Sequence, residues 1–186
     1  IKRYRMLTDR VVNISSMVIA LAAVCVSIWQ GVVMREHNKL SLKPYITSAP
    51  RLPGVGGDNG VFVANDGLGP AFIKDAKIIA NGKEFDLTKN SWPEIYEHLG
   101  VKGLCYSESW FKEGASLTPG EAVKILAPTT NPVAYGCKTE FVKLLSALEL
   151  DLSLVYESIY EDEYKYIQRV GLDKQEIEIY KQQLGF

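Results

Sequence analysis

The sequence predicts a mainly β protein: a single N-terminal transmembrane helix, then an antiparallel β-sandwich with short helical insertions and a short C-terminal helix. Two observations carry this. Residues 11–34, VVNISSMVIALAAVCVSIWQGVVM, contain no charged side chain. Beyond them, short runs of alternating apolar and polar residues are separated by Gly, Pro, Asn and Asp, the pattern of a sheet with one wet face. The chain divides into a basic segment at 1–10, the span at 11–34, a polar stalk at 35–43, the sandwich at 44–171 and a helical tail at 172–186.

The 186 residues are 47% hydrophobic and 23% charged, with a formal net charge of -1, which is enough chain for one cored domain. No run of Lys and Arg is dense enough to neutralise a phosphate backbone, so no nucleic-acid partner is expected.

As a helix at about 1.5 Å per residue, the charge-free run reaches roughly 36 Å, more than the roughly 30 Å hydrocarbon core of a bilayer. A cleaved signal peptide has an apolar region of only about 7 to 15 residues, so an uncleaved anchor in the lipid bilayer is expected. LAAVC, ending at Cys25, places Val24 where a lipoprotein cleavage box wants Gly or Ala. Trp29 suits an interfacial aromatic anchor. Lys2, Arg3, Arg5 and Arg10 precede the span, and Arg35, Lys39 and Lys43 follow it, a slight positive-inside bias. Cys105 and Cys137 form an even pair in the soluble part, either a disulfide or two free thiols; a disulfide would place the domain outside the cytosol. The expectation is therefore a bacterial cytoplasmic-membrane protein whose soluble domain is extracytoplasmic. Within the span, Ser16, Ala20, Ala23, Ser27 and Gly31 recur at helical spacing on one stripe, where small residues let a second membrane helix approach.

After the stalk, a first strand is expected at 44–52, then a loop in PGVGGDNG at 53–60. GVFVAN is rich in β-formers, and AFIKDAKIIA alternates up to Asn81-Gly82, a two-residue hairpin signal because both positions favour positive φ. KNSWPEIYEHLG has the punctuation of a short helix: Ser91 or Asn90 to cap it, Pro93 in its first turn and Gly100 to end it. VKGLCYSESWF reads as a strand, and LTPGEAVKILAP as a Pro-Gly turn followed by a strand. KTEFVKLLSAL sets Phe141, Leu144, Leu145 and Leu148 on one helical face. LELDLSLVYE alternates, an acidic turn follows, and Tyr164 and Tyr166 mark a final strand. In the tail, Ile177, Tyr180 and Leu184 share one side. About seven short strands with turn signals between them are the pattern of a two-sheet sandwich.

VFVANDGLGPAFIKDAKIIANGK, with Asn65, Gly67, Gly69 and Pro70 as N-x-G-x-G-P and Asn81-Gly82 as the hairpin, resembles immunoglobulin-like β-sandwich domains of bacterial surface and membrane proteins, including the CARDB-like adhesion-type modules. The layout with REHNKLSLKPYI leaving the span is similar to single-span bacterial proteins of unknown function. The resemblance covers mainly residues 35–87. It implies a fold and no activity.

The same loop is a poor phosphate cradle. Pro70 removes an N–H where donors are needed, and a β-patterned run follows in place of a helix N-terminus. The glycines read instead as permissive backbone in a structural turn. His37 and His98 have no Cys, Asp or His at ligand spacing, Cys105 has no activating partner in sequence, and the acidic Glu157, Glu161, Asp162 and Glu163 do not match a calcium loop. No cofactor, metal or catalytic residue is assigned. Trp92, Tyr96, Tyr106 and Trp110 are the candidate partner surface, with core packing as the competing reading. The expectation is a non-catalytic, membrane-anchored interaction domain: an accessory, sensor or scaffold subunit whose partner is another membrane protein or a homo-oligomer. The alternatives are a small membrane-tethered envelope hydrolase, or a cytosol-facing subunit of a defence or signalling complex.

Overall fold

The computed structural model describes residues 2–51, 58–129, 137–147, 150–172 and 174–184. It divides into two compact units, residues 1–41 and 42–186. The first is one helix, α1, Lys2–Ser41, 40 residues long. Its Arg10–Ser41 stretch is long and apolar enough to cross a membrane, and none of the side chains in the qualifying window is buried.

The helix runs on past both ends of the charge-free stretch. The basic segment at 1–10 is already helical from Lys2, and the stalk at 35–43 stays helical through Ser41. REHNKLS contains no Gly or Pro, so nothing stops the hydrogen-bond ladder until Pro44, which pushes the residue before it out of the α region. With α1 included, the described helices hold more residues than the described strands, so the mainly β class applies only to the second unit.

The second unit is built on two antiparallel sheets. One has the order β1 (Ile46–Arg51), β2 (Gly60–Asn65), β7 (Ala122–Pro128), β5 (Tyr106–Glu108). The other runs β4 (Lys83–Asp86), β3 (Ala71–Ala80), β8 (Leu150–Glu157), β9 (Glu163–Arg169), and the two-residue β6 (Ser116–Leu117) also pairs with β3. The loop expected at 53–60 lies outside the described residues up to position 57. The expected strand at 101–111 is reduced to β5, because Gly103–Cys105 form a single 3-10 turn.

Period-two burial defines the core. Leu150, Leu152, Leu154 and Tyr156 of β8 face inward, as do Ile73, Ala76, Ile78 and Ala80 of β3 and Val61 and Val63 of β2, and all join one apolar cluster. On the other side of β2, Phe62 is covered by Arg51 and Lys124, at 4.9 and 5.3 Å from its ring centroid. The β3–β4 hairpin turns through Asn81 and Gly82 at φ 49 and 80, both in the left-handed region as the dipeptide predicts.

Three helices pack on this core. α2, Trp92–Leu99, has Pro in its first turn and ends at Gly100, φ 64. Neither expected cap works through its side chain. The Ser91 carbonyl accepts from the Ile95 N–H at 3.0 Å, while Asn90, φ 55, closes the preceding one-turn helix. α3, Cys137–Ala147, buries Phe141, Leu144 and Leu145; Leu148 lies outside the described residues. α4, Lys174–Leu184, sets Ile177 against the core, and the side chains of Tyr180 and Leu184 lie outside the description.

Candidate interaction site

The N-x-G-x-G-P loop is organised by Asn65, which is 0% exposed. Its Nδ2 donates to the carbonyls of Gly69 and Leu117 at 2.8 and 2.9 Å. Its Oδ1 accepts from the N–H groups of Gly67 and Tyr45 at 3.0 and 3.1 Å. The amide therefore uses both donors and both lone pairs, as a buried polar group must. Its backbone is engaged too: the N–H donates to the Glu121 carbonyl and the carbonyl accepts from Gly120. The side chain thus ties Tyr45, the loop and the end of β6 together, and the main chain of the same residue holds the β6–β7 turn.

The glycines are needed for space. A Cβ on Gly67 would lie 2.5 Å from the Lys43 carbonyl oxygen, and one on Gly69 would lie 2.6 Å from the Leu42 carbonyl carbon. Neither adopts a positive φ, so the close approach of a chain segment some 25 residues upstream, and not backbone freedom, fixes these positions. The loop holds chain.

Three of the four aromatics expected on a partner surface are core. Trp92, Tyr96 and Tyr106 are 2, 7 and 6% exposed. Their rings form a row, Trp92 to Tyr96 at 5.9 Å, Tyr96 to Tyr106 at 5.2 Å, then Phe141 at 6.3 Å. Their polar tips find partners: Trp92 Nε1 donates to the Ser109 carbonyl at 2.9 Å, Tyr96 to Glu108 and Tyr106 to the Glu140 carbonyl, each at 3.4 Å. Burial pushes the Tyr106 phenol up to about 12 and raises Tyr96 as well. Only Trp110, 40% exposed, is left at the surface. The pocket under α2 is lined by apolar surface of Val61, Ile78, Ile95 and Leu126 and offers no polar group.

Cys105 and Cys137 are joined as a disulfide, fixing the first residue of α3 beside β5. Cys25 is free in α1. On the small-residue stripe, the hydroxyls of Ser16 and Ser27 donate to the carbonyls of Val12 and Ala23, each at 2.8 Å, one turn back in their own helix. Their donors are used there, while Ala20, Ala23 and Gly31 offer close approach.

The ionisable candidates are dispersed. His37 Nδ1 lies 3.4 Å from the Ser41 hydroxyl, and His98 packs on Phe85 at 5.4 Å between centroids. Glu157 pairs with Lys74 at 2.9 Å, and the Ser158 hydroxyl accepts from the N–H groups of Tyr160 and Asp162 to shape the acidic turn. Among the described residues, no three His, Cys, Asp or Glu side chains converge as a metal site.

Sequence reasoning missed a second cluster. Lys43 lies over the Tyr164 ring at 4.9 Å, Tyr164 stacks on Tyr156 at 5.6 Å, and the Ser48 and Tyr166 hydroxyls bond at 2.8 Å, which joins β1 to β9 across the two sheets. Burial raises Tyr156 and Tyr166. The tyrosines at alternate positions 164 and 166 were the available signal. Compared with protein-family models and with curated proteins, the chain matches none.

Proposed function

We propose that the chain is a membrane-anchored interaction module: a single α1 span carrying an immunoglobulin-like domain outside the cytosol of a bacterial cell, serving as an accessory, sensor or scaffold subunit. The observation that carries the anchoring is Arg10–Ser41, an unburied apolar helix of membrane-crossing length. Strand order supports the immunoglobulin-like reading. The orders β1-β2-β7-β5 and β4-β3-β8-β9 follow the A-B-E-D and C′-C-F-G arrangement of such sandwiches. The disulfide departs from that family's usual bridge between the B and F strands, since it joins the segment before β5 to α3.

The same disulfide supports an oxidising compartment. The Asn65 hub and the buried aromatic row make the domain a firmly built scaffold, in which function lies in surfaces. The partner is another membrane protein or a second copy. The test is thiol mass-tagging of intact cells with a membrane-impermeant reagent. Cys105 and Cys137 should label only after reduction by an equally impermeant reductant; labelling that requires lysis would refute the outward orientation.

A further inference from the structure

β9 is an edge strand whose strand partner among the described residues is β8, in a ladder with no register shift. The Val170 N–H donates to the Leu150 carbonyl at 2.8 Å. That bond sets the alternation: even-numbered residues of β9 turn their main-chain groups to β8, while Glu163, Lys165, Ile167 and Arg169 turn theirs to the open edge. No described main-chain group meets them there. The other edges are blunted: β1 carries Pro50, β4 has four residues and β5 three. β9 has seven residues, no proline, and an apolar Ile167 that is 55% exposed.

We infer that this edge is where two copies of the chain meet, β9 against β9, antiparallel about a two-fold axis through Tyr166. The strand is complementary to itself. In this register Glu163 faces Arg169 of the second copy at both ends, Lys165 faces Ile167, Tyr166 faces Tyr166, and all seven residues pair. Hydrogen bonding through the odd-numbered residues permits registers two residues to either side. One of them sets Lys165 against Lys165 and the other sets Lys165 against Arg169, so like charges oppose in both. Glu163 and Arg169 are exposed and form no ion pair within the described chain. The result is an isologous dimer with one sheet continuous across both domains. This rests on the anchored-module reading, because confinement to one bilayer raises the effective concentration of the two edges.

The test uses the full-length chain, co-expressed with two different affinity tags and solubilised in mild detergent. Glu163→Arg in both copies, or Arg169→Glu in both copies, should lower co-capture about tenfold, since each turns two attractive contacts into two repulsive ones. Mixing a Glu163→Arg copy with an Arg169→Glu copy should restore it, because opposite charges then meet at both ends. As a second measurement, Tyr166→Cys in a Cys25→Ser background should crosslink copies on mild oxidation, the symmetric pair being within disulfide reach. Single reversals that leave co-capture unchanged, a mixture no better than either variant alone, or absence of the crosslink each overturn the β9 assignment. Those results leave the anchored-module reading standing; that reading falls separately if the chain fractionates as water-soluble.

Discussion

The Asn65 side-chain oxygen accepts the Tyr45 main-chain N–H at 3.1 Å, binding the residue four positions past the end of α1 to the last residue of β2. The chain leaving the helix is therefore fastened before the first strand begins at Ile46. Replacing Asn65 by Ala strips four partners of their bonds, and the Gly69 and Leu117 carbonyls among them are buried. The expected loss is about 3 kcal/mol in denaturant unfolding of the full chain in detergent. Asn65→Asp should be at least as damaging at neutral pH, since a carboxylate would face the Gly69 and Leu117 carbonyls without donors.

Gly69 and Gly82 should separate two uses of glycine. Gly69→Ala drives a methyl into the Leu42 carbonyl group, with an expected cost of about 2 to 3 kcal/mol. Gly82 has open space around its Cβ position but φ +80, so Gly82→Ala should cost only about 1 kcal/mol, from backbone strain. Equal costs in the same unfolding assay would refute the close-approach explanation.

The Cys105–Cys137 bridge closes a loop with a sequence separation of 32. Removing it by the double Cys→Ser substitution should cost about 3 to 4 kcal/mol by the loop-entropy estimate. Loss of protection should appear first in α3, whose first residue is Cys137, and amide exchange would report it.

The aromatic row predicts an alkaline limit. Tyr106 titrates near 12 in the fold, against an ordinary value of 10.0, because burial disfavours the phenolate; Tyr96 shifts the same way. Below about pH 10 both states are neutral there and stability carries no dependence on these groups. Above it the unfolded chain ionises first, so stability should fall as pH rises through about 12. Phenolate absorbance followed beside unfolding would check this: ionisation of the pair at its ordinary value, with the fold intact, contradicts their burial.

Much of this architecture was legible because it is local. Alternation marks β8 residue by residue, Asn81-Gly82 supplies both positive φ angles of its hairpin, and the Phe141, Leu144 and Leu145 spacing marks the buried face of α3. What stayed open depends on partners distant in sequence. Trp92, Tyr96 and Tyr106 become core because α2 and β5 stack them together, and composition alone does not distinguish such a row from a binding surface. Gly67 and Gly69 look like flexible turn residues until residues 42–45 pass across them. The helical state of the stalk was open for a different reason: REHNKLS is polar, but polarity does not end a helix, and Pro44 does.

Alkaline extraction of membranes carrying the full chain tests the anchoring by α1 most directly. The chain should remain with the lipid pellet and leave it only when detergent dissolves the bilayer. Release into the aqueous supernatant at high pH without detergent would contradict the account.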